Sequence, residues 1–333
     1  MQFESVIGID VSKLTLDIAL VTQDAEVESF KIENKPLAIK KFFQNLSKTL
    51  DLESTLICAE HTGHYCYPLQ KTCLEEGYSL WIEGGAEIKQ RSGVTRYKND
   101  KVDAIRIADY AKRYQDKAKI QKTEDYTIES VRSLSSEREL FTKERAKYKT
   151  QVKDLKGFMD EVLFKARGKR LKKQIDSLTK LIQEIDKQIK VLMQSNKELA
   201  NQKKLLISID GIGEQTAIHT IVATGGFTKF NSGRKFGCHV GVAPFSFESG
   251  SSQRSRKKVS SRANKDLKTL FHMCALSAIR MKGELKEYFE RKVGEGKNKM
   301  TVINAVRSKL INRIFAVIRD NRKYEKNYTV TLA

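Results

Sequence analysis

Short runs of β-branched and aliphatic residues alternate with polar breaks through the first hundred positions. ESVIGID, LTLDIALVT and EVESFKI each have the length of a strand, and turn-like stretches at Ser12-Lys13 and Gln23-Asp24-Ala25 part them, which predicts a three-stranded meander. Leu37, Phe42, Phe43, Leu46 and Leu50 then recur at helical spacing over 36–50. STLICAE is a compact apolar run ending in Glu60, HTGHYCYPLQKTCLEEG has the pattern of a helix closed by Gly77, YSLWIEG that of a strand, and Lys101 to Arg113 that of an amphipathic helix. A meander followed by alternating strands and helices predicts a mixed α/β sheet covered by helices.

The pattern changes over 128–202. Ile175, Leu178, Ile182, Ile185, Ile189, Leu192, Asn196 and Leu199 follow steps of three and four, a coiled-coil seam. An earlier run, Leu134, Phe141, Tyr148, Val152, Leu155, Met159 and Val162, holds a compatible phase but places Arg138 and Arg145 on the seam. With Gly168 expected to separate the two runs, a long helical hairpin or a bent rod is predicted, mated to its own second arm or to another subunit. Asn196 on the seam is a candidate for fixing register. From 203 on, Gly211-Ile212-Gly213 lies between apolar helical runs, as in a helix-hairpin-helix element, whose glycine amides approach a DNA phosphate closely. A loop rich in Ser, Gly, Arg and Lys follows, and then further helix. The chain therefore divides into 1–127, 128–202 and 203–333.

Charge changes the picture by its distribution. The chain of 333 residues carries 62 Lys and Arg against 41 Asp and Glu, a formal net charge of +21. Residues 1–120 hold 17 basic and 18 acidic residues, so the whole excess lies downstream, and 251–333 alone hold 21 basic against 7 acidic. This asymmetry points to a near-neutral domain joined to a segment that meets a polyanion, nucleic acid above all. No run of about 18 apolar residues and no signal-peptide pattern is present, so no membrane partner and a cytoplasmic location are expected. Five cysteines form no CxxC pair; reduced thiols are expected, and the spacing of Cys66, Cys73, His61 and His64 fits no usual zinc pattern.

Candidate chemistry begins with carboxylates. Asp100 and Asp103 stand three apart at the start of the predicted helix, a spacing at which like charges weaken a helix unless a cation or the helix dipole compensates. Helix capping is one explanation and a divalent metal the other. Asp10 ends the first strand and Glu60 the fourth, and in a ribonuclease-H-like sheet those strands are neighbours. Four carboxylates converging there are compatible with Mg2+ or Mn2+, hard cations that prefer oxygen ligands. In the second constellation, FESGSSQRSRKK, an accessible serine precedes a cationic cluster suited to pentacovalent phosphate charge, although a Ser/Gly surface loop has the same composition. Arg254, Arg256, Lys257 and Lys258 are candidate phosphate contacts, as are Gly211 and Gly213. His239 is a distant candidate base, and a packed histidine fits it as well.

The ordered set IGIDVSK, CAEHTGHY, KNDKVDA, GIGEQTA and GVAPFSFESGSS...SSRANKDLK, spanning about residues 5 to 290, resembles the DEDD transposases of bacterial insertion sequences, relatives of the pilin-gene inversion recombinase. The resemblance implies a ribonuclease-H-like (RuvC-like) N-terminal domain, a helical coiled-coil linker and a mostly α C-terminal transposase domain. It implies a tetrad of Asp10, Glu60, Asp100 and Asp103 and a serine nucleophile, Ser249 by position, that forms a covalent phosphoserine link. Family members commonly carry two serines before paired glycines, whereas this chain reads Glu248-Ser249-Gly250-Ser251, which keeps Ser251 open as the alternative. The expected partners are donor and target DNA, a structured noncoding guide (bridge) RNA, and further copies of the chain as dimers joining into tetramers; nucleoid association is expected when active. A structure-selective nuclease using the tetrad alone, or a noncatalytic nucleic-acid scaffold, are the alternatives.

Overall fold

The structure, a computed structural model, describes residues 3–22, 26–92, 99–243, 259 and 263–326. Its contacts divide the chain into two compact units, one up to Tyr126 and one from Thr127.

The first unit is built on a five-stranded sheet: β1 Ser5–Val11, β2 Thr15–Val21, β3 Val27–Glu33, β4 Thr55–Glu60 and β5 Leu80–Glu83. The strand order is β3-β2-β1-β4-β5, antiparallel within the meander and parallel from β1 to β4 to β5. Strand alternation sorts the side chains onto two faces. Ile7, Ile9, Leu16, Ile18 and Ile57 face one core with α1 Pro36–Leu46 and α2 Tyr67–Glu76, helices that contribute Ile39, Phe43 and Leu69. Val6, Ala19, Leu56, Cys58 and Trp81 face the other, against α4 Asp100–Tyr114 with Ala104, Ile107 and Ala108. Gly77 closes α2 in the left-handed region, φ 77°, which glycine adopts without steric cost. A short helix that the sequence pattern does not announce, α3 Gly85–Ser92, follows β5.

In the second unit, α5 Thr123–Asp154 and α6 Glu161–Ser195 form an antiparallel hairpin within one chain. Arg138 forks across the arms to Asp186 at 2.7 and 3.3 Å, and Arg145 reaches the Thr179 hydroxyl at 3.3 Å, which explains two arginines on an apolar seam. Two expectations are corrected here. The arms are parted at 155–160 and not at Gly168: Gly157 takes φ +84°, and Asp160 caps α6 by accepting from the Val162 and Leu163 amides. Gly168 lies inside α6, where a single glycine costs only about 1 kcal/mol. Asn196 is not a seam residue; α6 ends before it, and its side chain accepts from the Leu199 amide to cap α7 Lys197–Ile207.

The remaining helices are α8 Glu214–Thr224, α9 Gly233–Val240, α10 Lys265–Ala278, α11 Glu284–Gly294 and α12 Lys299–Arg319. Ile185, Ile189 and Met193 of the hairpin share one core with Leu206, Ile221, Phe236, Phe271, Leu310 and Ile314, so 128–202 and 203–333 are packed as one body. Among the described residues, no helix is long and apolar enough to cross a membrane.

Candidate active site

Cross-strand register builds the site. Asp10 pairs with Asp17 and Asp17 with Lys31; Ile9 pairs with Ala59 one step before Asp10 and Glu60; Glu60 pairs with Glu83. Lys31, Asp17, Asp10, Glu60 and Glu83 thus form one row across all five strands, and residues opposite one another share a face. That face is the one α4 covers. Gly8, two residues before Asp10, lets α4 rest on β1: a Cβ there would stand 2.3 Å from both the Ala104 carbonyl oxygen and the Ala108 nitrogen. The first turn of α4, with Asp100 and Asp103, is thereby brought to the end of β1.

The electrostatics record this convergence. Burial pushes Asp10 up to about 6, and repulsion from Asp103, Glu60, Asp100 and Asp17 adds to it. The neighbouring acids have found separate accommodation. Asp17, 8% exposed, is held by Lys31 at 3.0 Å, and Asp103 by Arg106 at 2.9 Å. The Glu60 carboxyl lies against Gly85, where any side chain would displace it, since a Cβ would be 2.0 Å from Oε1. Glu83 accepts from the Gly84 amide at 2.7 Å and from the Tyr110 hydroxyl at 3.5 Å; burial and Glu83 push that phenol up to about 12. Capping is not the work of the two aspartates: Asn99 caps α4, accepting from the Lys101 amide. Among the described residues, no three His, Cys, Asp or Glu side chains form a ready-made metal-ligating group. Four oxygen-donor acids that raise the proton affinity of one of their number nonetheless suit a hard divalent cation, which would relieve their repulsion.

In the second unit the helix-hairpin-helix glycines do different things. Gly211, φ +89°, is packed on α10, a Cβ there lying 2.9 Å from the Cys274 carbonyl oxygen and from the Ala278 Cβ. Gly213 precedes α8 with open space around it and no side-chain cap. His239 is stacked among Phe230 and Phe236, and burial lowers its pKa, with Lys229 adding; it is a packed aromatic residue. Ser249, Ser251, Arg254, Arg256, Lys257 and Lys258 lie outside the described residues.

Sequence reasoning missed Gly8, Asp17, Lys31, Glu83 and Gly85. The signal for Asp17 and Lys31 was the phase of the meander: once β1 to β3 are registered, both fall in the cross-strand row of Asp10.

The sheet concentrates acids in a chain whose basic excess lies elsewhere, which suits an enzyme acting on nucleic acid, and comparison with known proteins finds similarity to transposases. A transposase model bearing the DEDD and IS110 labels matches residues 7–162, and one for the transposase IS116/IS110/IS902 family matches 203–290. The chain is 26% identical over 327 residues to the pilin gene-inverting protein of Moraxella lacunata, covering 96% of this chain and 97% of that one, and equally to its Moraxella bovis counterpart. An uncharacterized protein of insertion element IS116 from Streptomyces clavuligerus is 22% identical over 158 residues, 47% of this chain and 38% of that one. Together these matches support a place for the chain in the IS110/IS116/IS902 family of DEDD transposases.

Proposed function

We propose that the chain is an RNA-guided transposase that cuts and rejoins donor and target DNA, with the first unit a ribonuclease-H-like (RuvC-like) domain. The strand order β3-β2-β1-β4-β5, antiparallel then parallel, with α4 laid on β1, supports that fold assignment. Asp10, Glu60, Asp100 and Asp103 would hold Mg2+ or Mn2+. When bound there, the cation supplies positive charge that activates a nucleophile and stabilises a leaving oxygen at phosphorus. The observation that carries this reading is the Asp10 carboxyl driven up to about 6 amid the other acids.

The chain's own residues divide the remaining work. The Ser249 hydroxyl displaces a DNA hydroxyl at phosphorus, losing its proton and conserving the ester as a phosphoserine link, and a strand hydroxyl later reverses the exchange. Lys31 and Arg106 hold Asp17 and Asp103 in place beside Asp10. Arg254, Arg256, Lys257 and Lys258, with the glycine turn at Gly211 and Gly213, contact phosphates. The guide RNA lies on the basic helical surface, and the chain works as a homo-oligomer, dimers joining into tetramers.

The test mixes protein, the noncoding RNA flanking its element, donor and target DNA and Mg2+, and looks for a protein-DNA adduct on a denaturing gel. Ser249→Ala should abolish the adduct and Ser251→Ala should keep it. The reverse moves the nucleophile to Ser251. Free DNA ends with no adduct mean a metal-dependent nuclease instead.

A further inference from the structure

Helix α12 buries a stripe of Val302, Val306, Leu310 and Ile314, and one cation interrupts it. Arg307 is 5% exposed in this apolar core. Among the described residues it makes no ion pair, its Nε has no hydrogen-bond partner, and its one hydrogen-bond contact is from a terminal nitrogen to His272 Nδ1 on α10, at 3.2 Å. A buried charge without a counter-charge is costly, and natural folds rarely keep one without a use. His272 is half-buried, so the polar pair reaches the surface.

Two features say what that use is. As the guanidinium can only donate, His272 Nδ1 accepts, which leaves Nε2–H as a further donor; the pair then offers a cationic fork and a ring N–H, and no acceptor. Its location is the second feature. One turn earlier on α12, Asn304 donates to the Val242 carbonyl at 2.9 Å, and Gly241 is packed against Ala263 and Lys268, the latter one turn before His272 on α10. The seam between α10 and α12 therefore begins where the chain enters and leaves the stretch carrying Ser249. Donors alone, with positive charge, match a phosphodiester oxygen, for which a guanidinium fork is the preferred protein partner.

We propose that Arg307 and His272 form an internal anchor for a backbone phosphate of duplex DNA. This rests on the transposase reading for the identity of the ligand and not on the tetrad or on the serine. Its test is direct binding of a 30-base-pair duplex by the full chain in EDTA across a KCl series, with thermal unfolding recorded alongside.

Arg307→Met should lower the slope of log K against log salt by about 0.9, the loss of one phosphate contact, without lowering the unfolding midpoint. Arg307→Lys should keep the slope. Because binding is measured in EDTA, failure of the metal reading is separable from failure of this one. An unchanged slope in Arg307→Met, or a lowered midpoint with an unchanged slope, would make Arg307 a structural residue and overturn the anchor.

Discussion

The two units handle charge in opposite ways. The sheet unit is almost neutral, yet it gathers Asp17, Asp10, Glu60 and Glu83 in one row, brings Asp100 and Asp103 to its end, and leaves Asp10 with a raised pKa. The helical unit carries the chain's positive excess and joins the arms of its hairpin through the pair of Arg138 with Asp186, whereas Arg307 makes no ion pair among the described residues. Under the proposed function, charge that the fold does not neutralise would be met from outside, by a cation at the acids and a polyanion at the bases. Pairs that the fold does complete, Lys31 with Asp17 among them, hold geometry instead.

The largest effect should come from Gly8→Val. A side chain forced into the Ala104 and Ala108 backbone must lift α4 from β1, costing about 3 kcal/mol of stability and separating Asp103 from Asp10, so DNA cleavage and the unfolding midpoint should fall together. Asp103→Asn sharpens the contrast, because it removes a proposed ligand and leaves packing alone. Strand cleavage in Mg2+ should drop by about 100-fold or more while the midpoint holds. Loss of folding instead would make Asp103 a structural helix residue.

A smaller effect tests the repulsion itself. Asp10 titrates near 6 in the fold against an ordinary 3.8, so between about pH 4 and 6 the folded state keeps a proton that the unfolded chain has lost. Stability in EDTA should therefore fall as pH rises through that window, by on the order of 1 kcal/mol after allowance for the half-exposed position, and Asp10→Asn should lack this loss. Denaturant melts at pH 4, 5, 6 and 7 measure it. Smallest of all, Gly168→Ala inside α6, with open space around the Cα, should gain about 0.5–1 kcal/mol, the opposite sign to Gly8→Val.

Those two glycines also show what the sequence can and cannot disclose. The central strands were legible as compact apolar runs, because both of their faces are buried, and most helices by the periodicity of one buried face. Helix α3 was not, because GAEIKQRS has little apolar pattern. The hairpin turn was misplaced because an isolated glycine looks like a break, whereas the informative residues were Gly157 and the capping Asp160. Asn196 was taken for a seam residue because a cap and a polar core position share the same residue type. At the site, Asp10, Glu60, Asp100 and Asp103 stood out by residue type at element ends, whereas Lys31, Asp17 and Glu83 depend on cross-strand register. Gly8 depends on how near a helix comes, and Arg307 had the look of an ordinary surface cation.

The central claim is that the acids of the sheet unit share a divalent cation. Titration of Mn2+ into the full chain, followed by the loss of the free-ion electron paramagnetic signal, tests it most directly. The account predicts saturable binding that Asp10→Asn and Asp103→Asn each weaken at least tenfold while Glu87→Gln, on α3, leaves it unchanged. Equal binding by all four proteins, or no binding by the wild type, would contradict it.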